Sequence, residues 1–153
     1  MSDRAQPRGG LTIREATGAN LELARSWLLD AGLPLADLTV EHMPAFLLAT
    51  DAAGAVGMVG LERHGKYGLL RSLVVDSSHR GAGVGRQLVT ALELRAAAAG
   101  ISELWLLTID ADAFFARLGY AVADRAAAPQ AIRETAEFSN LCPDDAVLMR
   151  KEL

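Results

Sequence analysis

Glycines at alternate positions mark the part of this sequence that is best suited to bind an anion. Arg80-Gly81-Ala82-Gly83-Val84-Gly85 follows an apolar segment and leads into apolar residues at helical spacing. Gly81–Gly85 is predicted to form the first turn of that helix, where unpaired N–H groups and the helix dipole favour a negative charge. Glycines also let a ligand approach the main chain closely. With Arg80 at its mouth, the turn is predicted to bind a phosphate or pyrophosphate.

Two common phosphate-binding turns do not fit this stretch. A P-loop needs Lys followed by Ser or Thr after its last glycine, but Gly85 is followed by Arg86-Gln87. The dinucleotide-binding fingerprint needs a third Gly or Ala where this chain has Arg86. A glycine-rich turn without any ligand remains the alternative, because glycines are common between a strand and a helix.

The elements around the turn predict an α/β chain with one mixed sheet and helices on both faces. Leu69–Val75 is apolar apart from Arg71 and Ser72, which is typical of a strand buried on both faces. The strand, helix and following strand predict that Glu103–Leu107 lies parallel to Tyr67–Val75. The other predicted strands are Leu11–Glu15, Ala45–Thr50, Val56–Arg63, Tyr120–Ala123 and Ala146–Glu152, and the other predicted helices are Gly18–Ala31, a short one ending at Leu118, and Ala127–Glu134.

The glycine turn behind Leu73-Val74-Val75 resembles the acetyl-CoA pyrophosphate loop of the GNAT superfamily of N-acetyltransferases. The resemblance extends over nearly the whole chain and includes the run Ala-Phe-Phe-Ala-Arg-Leu-Gly-Tyr at 113–120, which looks like the later signature of that family. It implies a single-domain fold in which two central strands splay apart around the pantetheine arm of acetyl-CoA. The cosubstrate-binding residues that it implies are Leu73, Val74, Val75, Arg80, Gly81, Ala82, Gly83, Val84, Gly85, Arg86 and Phe114.

Two residues depart from the pattern of that family. Phe115 stands where relatives often have a tyrosine that protonates the departing thiolate, and phenylalanine has no proton to give. Arg71 stands near a position where many relatives carry a glutamate, and arginine cannot accept a proton at neutral pH. Arg71 is predicted to clamp a carboxylate or another planar oxyanion of the acceptor. The alternative is a structural ion pair.

Glu62 is the first candidate for the general base that takes a proton from the acceptor amine, because strand ends border the cleft. An ordinary surface carboxylate is its alternative interpretation. Glu41, His42 and Asp110 are further candidates for the base, whereas His64 and His79 are expected to be incidental.

The C-terminal part resembles the small N-acetyltransferases encoded in arsenic-resistance operons. The resemblance rests on Arg125–Pro129, Glu137-Phe138-Ser139 and Leu141-Cys142-Pro143. It implies an amino-acid-like acceptor, an arsenic-containing amino acid being one example. Cys142 is predicted to border the acceptor, where a thiol would bind a trivalent arsenical, and an inert half-buried cysteine is the alternative.

Composition limits the other functions that this chain can have. The 153 residues are 51% hydrophobic and carry a formal net charge of -4, so one domain at 11–153 is expected after a disordered tail at 1–10. The negative charge argues against nucleic acid and acidic membranes as partners. A single cysteine and the lack of an apolar leader indicate the cytoplasm, and no metal-ligand spacing is visible. A homodimer is expected because similar proteins often form one.

The sequence therefore predicts an N-acetyltransferase that passes the acetyl group of acetyl-CoA directly to an amine, with the N–H groups near Val74 and Val75 stabilising the oxyanion. Phe115 and Arg71 leave a second hypothesis open, because each removes a common catalytic option. In that hypothesis the chain is a CoA-binding sensor or an arsenical-binding accessory protein with weakened catalysis.

Overall fold

A computed structural model describes residues 11–33, 35–138 and 146–153. The predicted tail at 1–10 and Cys142 lie outside these residues. The described chain forms a seven-stranded sheet in the order β1-β2-β3-β4-β5-β7-β6. Its strands are β1 Thr12–Glu15, β2 Phe46–Asp51, β3 Gly54–His64, β4 Tyr67–Val75, β5 Glu103–Thr108, β6 Ala121–Val122 and β7 Val147–Glu152. Its α-helices are α1 Leu21–Ala31, α2 Val84–Ala98, α3 Asp112–Arg117 and α4 Gln130–Arg133.

Alternating side chains along the strands send apolar groups to both faces of the sheet. On one face, Leu47, Val59 and Leu70 pack in a cluster that contains Leu88 and Leu92 of α2 and Phe115 of α3. On the other face, Phe46, Leu48 and Met58 pack with Leu28 of α1, and a third cluster joins Leu69 to Ile132 of α4. The predicted fold class, a mixed sheet with helices on both faces, is confirmed.

The predicted parallel pairing of β4 with β5 is confirmed, but it covers only the first part of β4. The paired residues run from Tyr67 opposite Glu103 to Leu69 opposite Trp105. Beyond Leu69 the two strands are no longer paired, while β5 continues to pair with β7 as far as Thr108. β4 also contains a bulge against β3, where the register shifts between Met58 and Gly60. The sheet therefore opens between its two central strands.

Some predicted boundaries were wrong by a few residues. The helix α2 begins at Val84, so Gly81 and Gly83 belong to the turn that precedes it. Both glycines have positive φ values, 83° and 82°, which a right-handed helix cannot contain. The helix predicted at Gly18–Ala31 starts with a 3₁₀ turn, Gly18–Asn20, and the one predicted at Ala127–Glu134 is reduced to α4. No described helix has the length and apolar character that crossing a membrane requires.

Gly60 lets an aromatic ring lie close against the main chain of the sheet. It pairs with Phe46 of β2 on one side and with Arg71 of β4 on the other. A Cβ atom at position 60 would lie 2.4 Å from Cζ of Phe46, far closer than carbon atoms approach. The side chain of Phe46 is buried, so its ring has little room to withdraw.

We expect Gly60→Ala to destabilise the protein by about 1 to 3 kcal/mol, because the added methyl group overpacks the buried Phe46 ring. Chemical unfolding at neutral pH measures the change. Gly18→Ala is the matched control, since a Cβ there would meet Val40 at an ordinary 3.7 Å, and its effect should stay within about 0.5 kcal/mol. Equal stability of the two variants would contradict this account.

Candidate active site

A cavity of about 900 Å³ lies at the end of β4 that is not paired with β5, between the start of α2 and the α3 region. Ten of the eleven residues predicted to bind the cosubstrate line it: Leu73, Val74, Val75, Arg80, Gly81, Gly83, Val84, Gly85, Arg86 and Phe114. The remaining one, Ala82, lines an adjoining cavity of about 830 Å³ that shares Gly81, Gly83 and Arg86 with the first. The structure thus brings together, around two adjoining cavities, the residues that the resemblance assigned to acetyl-CoA.

The glycine turn presents main-chain N–H groups at one end of this cavity. Its backbone hydrogen bonding to the helix begins with the N–H of Gln87, which donates to the Gly83 carbonyl at 3.0 Å. The N–H groups of Val84, Gly85 and Arg86 come before that bond, as the first N–H groups of a helix do. A Cβ atom at Gly85 would lie 3.3 Å from Cζ of Phe114, so α3 packs closely on the start of α2. This end of the cavity suits an anion.

His79 also lines the cavity, although it was expected to be incidental. Its ring lies 3.1 Å from a carboxylate oxygen of Asp76 and 3.1 Å from one of Asp51. The hydrogen bond with Asp76, followed by that with Asp51, raises the pKa of His79. The ring thereby joins the β2–β3 hairpin to the segment that leads into the glycine turn, which steadies the turn. No local sequence pattern pairs Asp51 with His79.

Arg71 is the centre of a buried group of charged side chains, which we call the Arg71 cluster and which contains Asp37, Glu62 and Glu137. The guanidinium donates from Nη1 to Asp37 Oδ2 and to Glu62 Oε2, both at 2.6 Å, and from Nη2 to Asp37 Oδ1 at 3.0 Å. Nη2 also lies 3.5 Å from Glu137 Oε2, and Nε donates to the Ser72 hydroxyl at 3.0 Å. The Arg71 side chain has 0% exposure.

The Arg71 cluster keeps its charges because they are paired. Burial alone would lower the pKa of Arg71, but Asp37, Glu137 and Glu62 outweigh it and raise that pKa. Burial would likewise raise the pKa of Asp37, but the hydrogen bonds and charge of Arg71 hold it below its ordinary value. This arrangement corresponds to the alternative interpretation of Arg71, a buried ion pair. An acceptor carboxylate would reach the guanidinium only by replacing one of the carboxylates around it.

The candidate bases lie in different surroundings. Glu62 has a side chain 15% exposed, and its Oε1 lies 3.3 Å from Nε2 of His64. Glu41 and Asp110 are exposed, and Nδ1 of His42 accepts a hydrogen bond from the Thr39 N–H at 3.0 Å. Neither Glu62 nor Arg71 is among the described residues that line the cavity. The role of each of these residues stays a prediction.

The aromatic residues that follow β5 divide between the cavity and the core. Phe114 lines the cavity, whereas Phe115 is 4% exposed and packs edge-on against Phe114 and Tyr120. The Tyr120 hydroxyl donates to Glu93 at 2.9 Å, and burial together with Glu93 raises the pKa of Tyr120. Tyr120 is therefore committed to the core and does not replace the tyrosine that position 115 lacks.

Three further residues that line the cavity, near or within α3, were not predicted from sequence. Arg117 and Leu118 of the α3 region line it together with Ala111. The spacing of Ala111, Phe114 and Leu118 is that of one helical face, and Arg117 follows Phe114 by three residues. That spacing was the available signal, because Phe114 was already predicted to bind the cosubstrate.

Comparison with known proteins identifies the family of this domain. The family model described as acetyltransferase (GNAT) domain matches residues 43–122, which include β2 to β5, α2, α3 and the glycine turn. The chain belongs to the GNAT acetyltransferase family. This confirms the predicted superfamily and enzyme class, an N-acetyltransferase with acetyl-CoA as cosubstrate.

Individual proteins show the same likeness. An uncharacterized N-acetyltransferase of Chlorobaculum tepidum is 29% identical over 116 residues, which are 74% of each chain. N-acetylglutamate synthase from Neisseria gonorrhoeae, solved with coenzyme A and L-arginine, has a TM-score of 0.81 at 19% identity over 94% of this chain, which spans about 33% of that protein. Rv2747 from Mycobacterium tuberculosis, solved in complex with CoA, has a TM-score of 0.79 at 20% identity over 93% of this chain and 99% of its own. These two structures share the fold.

We expect Asp37→Asn to lower the free energy of unfolding by about 1 to 2 kcal/mol at pH 7, because it removes one carboxylate partner of a buried guanidinium that keeps two others. The pKa of Asp37 is lower in the folded state, so its stabilisation is complete above the unfolded value of about 4 and is lost as the pH falls through the folded value.

Urea unfolding of both proteins between pH 7 and pH 3 measures this effect. The stability difference between them should be largest above about pH 5 and should shrink toward pH 3. Asp110→Asn changes an exposed carboxylate and serves as the control, with a difference near zero throughout. A difference at position 37 that does not depend on pH would contradict the prediction.

Proposed function

We propose that this protein transfers the acetyl group of acetyl-CoA to the amine of a small amino-acid-like acceptor. The observation that carries the proposal is the cavity at the end of β4, which is lined by the glycine turn, the start of α2 and the α3 region. The described lining fits the cosubstrate chemically: N–H groups and arginines at one end suit a diphosphate, and the apolar side chains of Leu73, Val74 and Phe114 suit a pantetheine chain.

Each part of the cavity has its own task in this proposal. The N–H groups of Val84, Gly85 and Arg86 bind the diphosphate, together with the side chains of Arg80 and Arg86. The main chain of β4 beyond Ser72 is not paired with β5, so the edge that faces away from β3 can bind the pantetheine amides as an added strand would. The bound cosubstrate supplies an acetyl thioester, which is reactive toward an unprotonated amine.

Glu62 is proposed to take up the proton that the acceptor amine must lose before it attacks. Arg71 and His64 hold the two oxygens of its carboxylate, at 2.6 Å and 3.3 Å. A carboxylate fixed in this way acts as a base directly or through one water molecule. N–H groups near Val74 and Val75 are proposed to stabilise the oxyanion that develops during attack.

The acceptor is proposed to carry a carboxylate or a similar planar oxyanion. Asp37 meets Arg71 with two oxygens on two nitrogens, and this is the geometry that an acceptor carboxylate would adopt after displacing Asp37. The likeness to N-acetylglutamate synthase, solved with CoA and N-acetyl-glutamate, supports an amino-acid acceptor. An arsenic-containing amino acid is the finer proposal, and it rests on the C-terminal resemblance and on Cys142. A homodimer is proposed because similar proteins often form one, and a cytoplasmic location because the chain has a single cysteine.

The test is steady-state release of free thiol from acetyl-CoA in the presence of a panel of amines. The panel pairs free amino acids with their amides, and it includes glutamate and an arsenical glutamate analogue. The proposal predicts turnover with a preference for free acids over amides. Turnover of amides alone would contradict the oxyanion requirement, and tight binding of CoA without any turnover would favour the sensor hypothesis.

We expect Glu62→Gln to reduce kcat by about 100-fold or more, because glutamine keeps the shape of the side chain but cannot accept a proton. Glu134→Gln, in the segment that follows α4, is the matched control and should keep wild-type kcat. Thermal unfolding of both variants checks that the Arg71 cluster remains folded. An unchanged kcat in a folded Glu62→Gln protein would exclude Glu62 as the base.

A further inference from the structure

Arg117 is a cationic residue of the cavity lining that lies outside the glycine turn. It belongs to α3, whereas Arg80 and Arg86 flank the glycines in sequence. It lies one turn after Phe114, whose ring approaches the Cβ position of Gly85 to 3.3 Å. This packing places the cavity face of α3 against the start of α2. Arg117 therefore lines the same cavity as the glycine turn, but from a separate wall.

Three arginines line this cavity, and none of them forms an ion pair with a carboxylate in the described part of the chain. They are Arg80, Arg86 and Arg117. Elsewhere Arg25, Arg95 and Arg150 each have a carboxylate oxygen within 4 Å. Carboxylates are not scarce, because the chain has 19 acidic and 15 basic residues. Unpaired positive charge gathered around one cavity of an acidic protein indicates an anionic ligand.

The guanidinium of Arg117 forms few interactions within the described part of the protein. Its Nη1 lies 3.5 Å from the Ala113 carbonyl, at the limit of a hydrogen bond, and the residue is exposed. A cation at the end of a six-residue helix gains only a small benefit from the helix dipole. Arg80, by contrast, is tied to the end of β4, since its Nε donates to the Val75 carbonyl at 3.3 Å. The guanidinium of Arg117 remains available to a ligand.

We propose that Arg117 binds the 3′-phosphate of CoA and so distinguishes CoA from dephospho-CoA; this inference rests on the proposed use of acetyl-CoA. The diphosphate of CoA is already matched by the N–H groups of the glycine turn with Arg80 and Arg86. The 3′-phosphate is a second, separate anion on the ribose. It needs a cation from another element, and α3 supplies Arg117. His79, the remaining basic group of the described lining, is already engaged by Asp51 and Asp76.

Calorimetric titration of CoA and of dephospho-CoA into three proteins tests the proposal without any turnover. The wild type should bind CoA about 10-fold more tightly than dephospho-CoA. Arg117→Gln should weaken CoA binding about 10-fold and leave the Kd of dephospho-CoA unchanged. Arg63→Gln removes the same charge from an exposed residue of β3 that lines neither cavity, and it should preserve the wild-type ratio.

Three results would overturn the proposal. Equal weakening of both ligands by Arg117→Gln would place Arg117 at the diphosphate, and equal affinities of the wild type for both ligands would show that the 3′-phosphate is not recognised. Either result leaves acetyl transfer from acetyl-CoA intact. Failure of the wild type to bind CoA at all would overturn the proposed function as well, so the two failures are distinguishable.

Discussion

The parting of β4 from β5 after Leu69 is the constraint on which the site depends. Backbone N–H and C=O groups within a sheet need partners, and those of β4 beyond Leu69 have none on β5. The strand contains a bulge at Ser72, which changes its direction there. The φ of Ser72 is 61°, which is rare for a residue with a side chain. Arg71 bonds the Ser72 hydroxyl, so the buried charge and the bulge stabilise one another. A ligand with amide groups finds a sheet edge already prepared, at little cost in reorganisation.

The Arg71 cluster connects parts of the chain that secondary structure leaves separate. Asp37 follows α1, Glu62 lies on β3, and Glu137 follows α4, yet all three meet one guanidinium on β4. Removing a buried arginine from water is costly, and the cost is offset only when its donors are well placed, as they are here. The cluster therefore holds the segments after α1 and α4 against β4. Side-chain packing alone would leave these polar segments loosely held.

The sequence predicted the elements around the cosubstrate well because each carries a local signal. The bounds of β4 follow from its apolar residues, and the glycine turn from its alternating glycines. The predicted start of α2 was too early because the glycines directly precede Val84 in the sequence. Only the structure shows that Gly81 and Gly83 have positive φ values, which exclude them from the helix. The partners of Arg71 could not be predicted, since Asp37 and Glu137 are distant in sequence and no pattern links them to it. The same holds for His79 and Asp51, which only the folded hairpin brings together.

The two faces of the sheet carry different charges near the end of β4, and this difference bears on how the proposed reaction would use two substrates. The N–H groups of α2, with Arg80, Arg86 and Arg117, border the cavity where a diphosphate belongs, whereas three carboxylates surround Arg71 on the side of α1 and α4. A polyanionic cosubstrate is attracted to the first side and repelled by the second, and an ammonium group experiences the opposite. Direct transfer needs both reactants bound at once. In the proposed transfer these two regions would attract the reactants separately, so that the amine and the cosubstrate would not compete for the same binding groups.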